Sequence, residues 1–128
     1  MNSDYAFGVE KEKARQSALE KYLGTNLTGT PQYCFYDFEG SGKYLEHKER
    51  RCLSSTYAET MVGYDKIEKA IKSGIADEMY FSFGFKDALY VWKYNADQFS
   101  VKIMGRWDRG RDERKQYALI KVGDMVAV

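Results

Sequence analysis

Apolar positions along the chain switch between a helical and a strand-like period. Over residues 8–23, Ala18, Leu19, Tyr22 and Leu23 recur at three- and four-residue spacings among good helix formers, and Gly24 follows as a stop. This predicts a first helix over 8–23. Residues 25–31, T-N-L-T-G-T-P, read as a loop with a short edge strand. The aromatic run Q-Y-C-F-Y-D-F at 32–38 predicts a strand, E-G-S-G at 39–42 a turn, and K-Y-L-E-H-K-E-R-R at 43–51 a second strand antiparallel to the first. Residues 52–63 are polar and less regular. A second helix is expected over 64–73, with Ile67, Ala70 and Ile71 on its apolar face and Gly74 at its end. Two further hairpins follow: 79–85 with 88–94, and 98–104 with 116–122, the last pair joined by a charged loop.

This order of elements predicts an α+β (or α/β) fold with a central mixed β-sheet flanked by helices. With 128 residues, one domain over 1–128 is expected, since a second core of ordinary size has no room. Its core would span about 8–95, with 98–128 as an extra C-terminal β-hairpin able to supply a dimer edge or a DNA clamp. Apolar residues make up 44% and charged residues 30%, which favours a folded chain over a disordered one. Aromatics reach 16%, with 11 tyrosines against a single proline, as half-buried sheet surfaces require.

Charge narrows the function classes. Lys plus Arg total 20 against 19 Asp plus Glu, a net of +1. Binding nucleic acid by bulk positive charge is excluded, while a basic patch on one face is not. No apolar run approaches the roughly 20 residues of a membrane helix, so no membrane partner is expected. The start, M-N-S-D-Y-A-F, lacks the pattern of a secretory leader. Two distant cysteines, Cys34 and Cys52, make neither a disulfide scaffold nor, with the lone His47, a zinc site, and suit a reducing, intracellular compartment.

The stretch from 37 to 48 carries the candidate chemistry. Side chains alternate along a strand, so Glu46 and Lys48 share one face and His47 takes the other. Asp37 lies across the hairpin, within reach of the Glu46 face. Two carboxylates and an ammonium in one patch are costly, because close carboxylates disfavour each other's ionisation. A divalent cation resolves the conflict. Mg²⁺ takes hard oxygen ligands, here Asp37, Glu46 and the main-chain carbonyl of His47. Lys48 beside it can orient a water or stabilise developing phosphorane charge. The same residues also have plainer explanations: an exposed Glu–Lys pair on a strand contributes little, and Asp37 can satisfy turn amides.

Asp37 and the triplet Glu46-His47-Lys48, set in the order helix, hairpin, helix, strands, resemble the PD-(D/E)xK nuclease superfamily. Y-L-E-H-K-E-R-R is similar to the E-x-K-x-R strand of its small phage, viral and junction-cleaving members. The resemblance covers about residues 8–95 and implies a restriction-endonuclease-like core. It departs from the family in lacking the proline beside Asp37, and in having His47 where an aliphatic residue usually packs under a helix. It implies a metal-dependent endonuclease that hydrolyses DNA phosphodiester bonds, in homing, junction resolution or repair-type nicking. The cofactor would be Mg²⁺ with Mn²⁺ as substitute, and the expected partners are DNA and further copies in a homodimer or higher homo-oligomer. Phage or virus encoding is compatible. By the same resemblance Glu12, with Glu10 as the alternative, joins the site from the first helix. A non-catalytic nucleic-acid-binding module or a protein-interaction module of the same fold is the competing reading.

Several cations flank this motif. Arg50 and Arg51 follow it, either to contact phosphate or to protect a sheet edge by charge. Lys66, at the start of the second helix, would face the site by the resemblance. The loop at 105–115, G-R-W-D-R-G-R-D-E-R-K, carries five basic and three acidic residues. It offers Arg109 and Arg111 to nucleic acid and Trp107 for stacking, or is a hairpin tip with internal ion pairs. The hydroxyls of Ser54, Ser55, Thr56, Tyr57 and Thr60 either position phosphates or cap local turns. E-G-S-G-K at 39–43 lacks the spacing of a phosphate-binding loop.

Overall fold

The computed structural model describes residues 14–105 and 114–128. Residues 14–23 form helix α1. It is followed by strands β1 (Thr28–Gly29), β2 (Phe38–Gly40), β3 (Lys43–Glu49) and β4 (Glu59–Gly63), helix α2 (Tyr64–Lys72), and strands β5 (Met79–Gly84), β6 (Leu89–Lys93), β7 (Phe99–Met104), β8 (Lys115–Lys121) and β9 (Val126–Ala127). The class is α+β. A six-stranded sheet runs in the order β1-β2-β3-β5-β6-β9, and a three-stranded sheet in the order β4-β8-β7. The larger sheet is mixed: β3 and β5 are parallel, and its other neighbours antiparallel. Parallel neighbours need a long crossover, and β4 with α2 supplies it.

The two helices cover opposite faces of the larger sheet, as strand alternation makes visible. On one face Leu19 and Leu23 of α1 pack with Phe38, Leu45, Tyr80, Leu89 and Val91. On the other, Ile67 and Ala70 of α2 are buried with Met79, Phe81, Phe83 and Trp92, and with Val62, Ala118 and Ile120 of the smaller sheet. The buried stripes are narrower than the sequence pattern suggests. Ala18, Tyr22 and Ile71 are exposed, and only Leu19 and Leu23 of α1 and Ile67 and Ala70 of α2 are buried.

Three expectations change. First, the strand expected over 32–38 begins only at Phe38. Ahead of it the chain folds on itself: the Cys34 amide donates to Pro31 O and the Thr30 amide to Asp37 O. Its aromatics stack locally, Phe35 edge-on to Tyr36 at 5.0 Å and Tyr36 edge-on to Tyr44 at 5.2 Å. Second, the segment over 52–63 holds a strand, β4, with Thr60 and Val62 buried and Glu59 and Met61 outward. Third, the C-terminal hairpin forms, β7 against β8, but it is not an appendage. β8 pairs with β4, its Ala118 and Ile120 lie in the main core, and β9 closes the edge of the larger sheet.

The β2–β3 turn places the site. Ser41 and Gly42 both have positive φ, 49° and 76°, the backbone that a two-residue hairpin turn demands. Gly40 belongs to β2 instead. A Cβ there would lie 2.0 Å from the carbonyl oxygen of Asn26, so the close approach of the neighbouring loop requires glycine.

Candidate functional site

The β2–β3 hairpin brings Asp37 beside β3. The Asp37 amide donates to Leu45 O at 2.8 Å. Its carboxylate, through Oδ2, accepts the His47 amide at 2.8 Å. The amide and carbonyl of one residue in a strand point to the same edge, so the His47 carbonyl also faces the Asp37 side.

Glu46 and Lys48 project together onto the α2 face of the sheet. The Lys48 ammonium lies 3.5 Å from Glu46 Oε1, and Lys66, from the first turn of α2, lies 3.8 Å from Oε2. Glu46 is only 4% exposed. Burial, and then the facing Asp37 carboxylate, push its pKa up to about 7, against the opposing pull of the two lysines. The two ammoniums, with a long hydrogen bond from Lys48, offset only part of that penalty. The structure thus brings together four of the expected residues, Asp37, Glu46, Lys48 and Lys66, with the His47 backbone at their edge.

The opposite face of β3 is settled. The His47 imidazole is buried, with Nδ1 2.7 Å from Ser82 Oγ and Nε2 2.8 Å from Glu49 Oε2. Burial holds its pKa below the ordinary histidine value, although Glu49 pulls the other way. The ring is therefore neutral at pH 7. A carboxylate only accepts, so Nε2–H donates to Glu49 and the Ser82 hydroxyl donates to Nδ1. Arg15 of α1 completes the row, donating to Glu49 Oε1 at 3.3 Å and to Phe85 O at 3.0 Å. The packing role expected for His47 from strand alternation matches this arrangement.

A cleft of about 1000 Å³ opens beside Lys48 and runs along β4 and β8. Lys48, Arg50, Lys66 and Lys115 line it with four cations against Glu59 and Asp65, and Tyr57 and Tyr117 contribute aromatic rings. Arg50 does not reach outward into solvent. Its Nε donates to Thr60 Oγ1 at 3.2 Å, its Nη2 donates to Met61 O, and its guanidinium lies over the Phe83 ring at 5.8 Å. It ties the end of β3 to β4 and so fixes one corner of the cleft. Arg51 is exposed. Ser54 is engaged structurally, its amide and hydroxyl donating to the Asp87 carboxylate at 2.8 and 2.7 Å.

The chain matches no family model, no curated protein and no solved structure. The geometry therefore carries the reading. Glu10, Glu12, Trp107, Arg109 and Arg111 lie outside the described residues. Among the described residues, no three His, Cys, Asp or Glu side chains gather in a group able to hold a metal, and no helix is long and apolar enough to cross a membrane. Sequence reasoning missed Lys115 and Tyr117 as cleft residues, and the tie from Arg50 to β4. The one available signal was the alternation of Thr60 and Val62 with Glu59 and Met61, too short to stand out.

Proposed function

We propose that the chain is a metal-dependent endonuclease of the PD-(D/E)xK type, with a restriction-endonuclease-like core, acting on DNA phosphodiester bonds. The observation that carries this reading is the grouping of Asp37 and Glu46 with Lys48 and Lys66, the two lysines also bordering a basic cleft. The donor set fits Mg²⁺: two carboxylates and the His47 carbonyl are hard oxygens, and a nearly buried carboxylate facing another carboxylate gains most from a cation. Asp37 and Glu46 would hold the ion, which supplies Lewis-acid activation when bound.

The protein's own groups do the rest. Lys48 positions the attacking water and, with Lys66, stabilises negative charge as it builds on the phosphoryl oxygens. Water oxygen bonds to phosphorus, the bond from phosphorus to the 3′ oxygen breaks, and the proton lost by the water is available to that leaving oxygen. Mn²⁺ would substitute for Mg²⁺. One site per chain means that cutting both strands of a duplex takes two copies, in a homodimer or higher assembly.

Nicking of supercoiled plasmid tests the reading. Mg²⁺ should support nicking, chelator should abolish it, and Lys48→Ala should remove it while the protein stays folded. DNA binding with no metal-dependent nicking would instead identify a non-catalytic nucleic-acid-binding module.

A further inference from the structure

Resting on that reading, we infer that the cleft takes a single-stranded segment of DNA, seated by ring stacking on the β4–β8 wall, and not an intact duplex. The wall combines two kinds of group at one place. Lys115 and Tyr117, two residues apart on β8, share a face, and the Lys115 ammonium lies 5.0 Å from the centre of the Tyr117 ring. Tyr57, just ahead of β4, lines the same cleft and is 67% exposed, although its ring is large and apolar. Between them Met61 and Leu119, cross-strand partners in the β4–β8 ladder, add an apolar floor.

A duplex backbone uses hydrogen-bond donors and cations and has no use for such a floor. Unstacked bases use both: the rings accept their faces and the lysines accept the intervening phosphates. The volume agrees, since about 1000 Å³ is at the upper end of cavities that enclose a small ligand and suits a few nucleotides of one strand. Lys48 and Lys66 border this cleft and also contact Glu46, so a strand lying along the wall brings a phosphodiester to the two lysines that pair with that carboxylate. The substrate class that follows is a flap, gap or frayed end, where one strand is free to enter.

Fluorescence anisotropy in chelator, with a labelled oligothymidylate and a labelled hairpin duplex of matched length, tests this without any dependence on cleavage. The oligothymidylate should bind about tenfold more tightly or better. Tyr57→Ala and Tyr117→Ala should each weaken it by about tenfold, the scale of one lost stacking contact, whereas Tyr57→Phe and Tyr117→Phe, which keep the ring, should bind as the parent does. Equal affinity for the duplex, or unchanged binding in both alanine variants, overturns the inference. The nicking assay stands apart: strand-selective binding without metal-dependent cleavage contradicts the nuclease reading alone, and cleavage without strand selectivity contradicts this inference alone.

Discussion

Glu46 and Lys48 on one face of β3, and His47 and Glu49 on the other, are consecutive in sequence and similar in chemistry, yet their surroundings differ in kind. On the α1 face each polar group has a partner that suits it: Ser82 to His47, His47 to Glu49, Glu49 to Arg15. On the α2 face a nearly buried Glu46 meets a second carboxylate, and two lysines stand off at 3.5 and 3.8 Å. The first arrangement is that of a structural network, which rigidifies when fully satisfied. In the second a carboxylate that burial disfavours lies beside another carboxylate, and its two lysine partners border the cleft. The alternation of side chains thus gives the two faces of one strand unlike surroundings, and the proposed function uses only the second.

The largest expected effect breaks the comparison on its open side. Lys48→Ala should lower the nicking rate by at least about a hundredfold while the variant still folds. Glu46→Gln should also abolish nicking, yet stabilise the metal-free protein. The pKa of Glu46 is about 7 in the fold against an ordinary value of 4.5. The folded state therefore holds its proton more firmly, and the stability this provides is complete below pH 4.5 and lost as pH rises through 7. The glutamine variant mimics the protonated form and escapes that loss, so above pH 7 it should gain up to about 3 kcal/mol in urea unfolding without metal. The parent should recover part of the difference when Mg²⁺ is added.

The closed side should respond in the opposite sense. His47→Ala strands the buried Ser82 hydroxyl and removes a partner of Glu49, and should cost about 2–3 kcal/mol in denaturant unfolding. Whatever variant protein remains folded should still bind Mn²⁺, because the proposed site uses only the backbone of His47. Arg15→Ala is the mildest change. Its side chain is 26% exposed, so its pairing with Glu49 is screened, and a loss below about 1 kcal/mol is expected.

Much of this contrast was legible in the residues alone. Period-two alternation assigns Glu46 and Lys48 to one face and His47 to the other, and the aromatic runs at 79–85 and 88–94 mark the β5–β6 hairpin. The helix over 64–73 matches α2 to within a residue. Other features were hidden for physical reasons. Phe35 and Tyr36 have the composition of a strand but satisfy each other and Tyr44 in a loop. β4 is five residues long and gains its stability from β8, more than fifty residues away in sequence. The cleft wall needs that long-range pairing, so neither Tyr117 nor Lys115 could be connected to Lys48 by local pattern. The tie from Arg50 to Thr60 and Met61 was obscure for the same reason.

The central claim is that Asp37 and Glu46 form a divalent-cation site beside Lys48. Calorimetric titration of the metal-free protein with Mn²⁺ at neutral pH addresses it most directly. The account predicts binding in the parent and in Lys48→Ala, and its loss in both Asp37→Asn and Glu46→Gln. Binding that persists undiminished in both carboxylate variants, or that is missing from the parent, would contradict it.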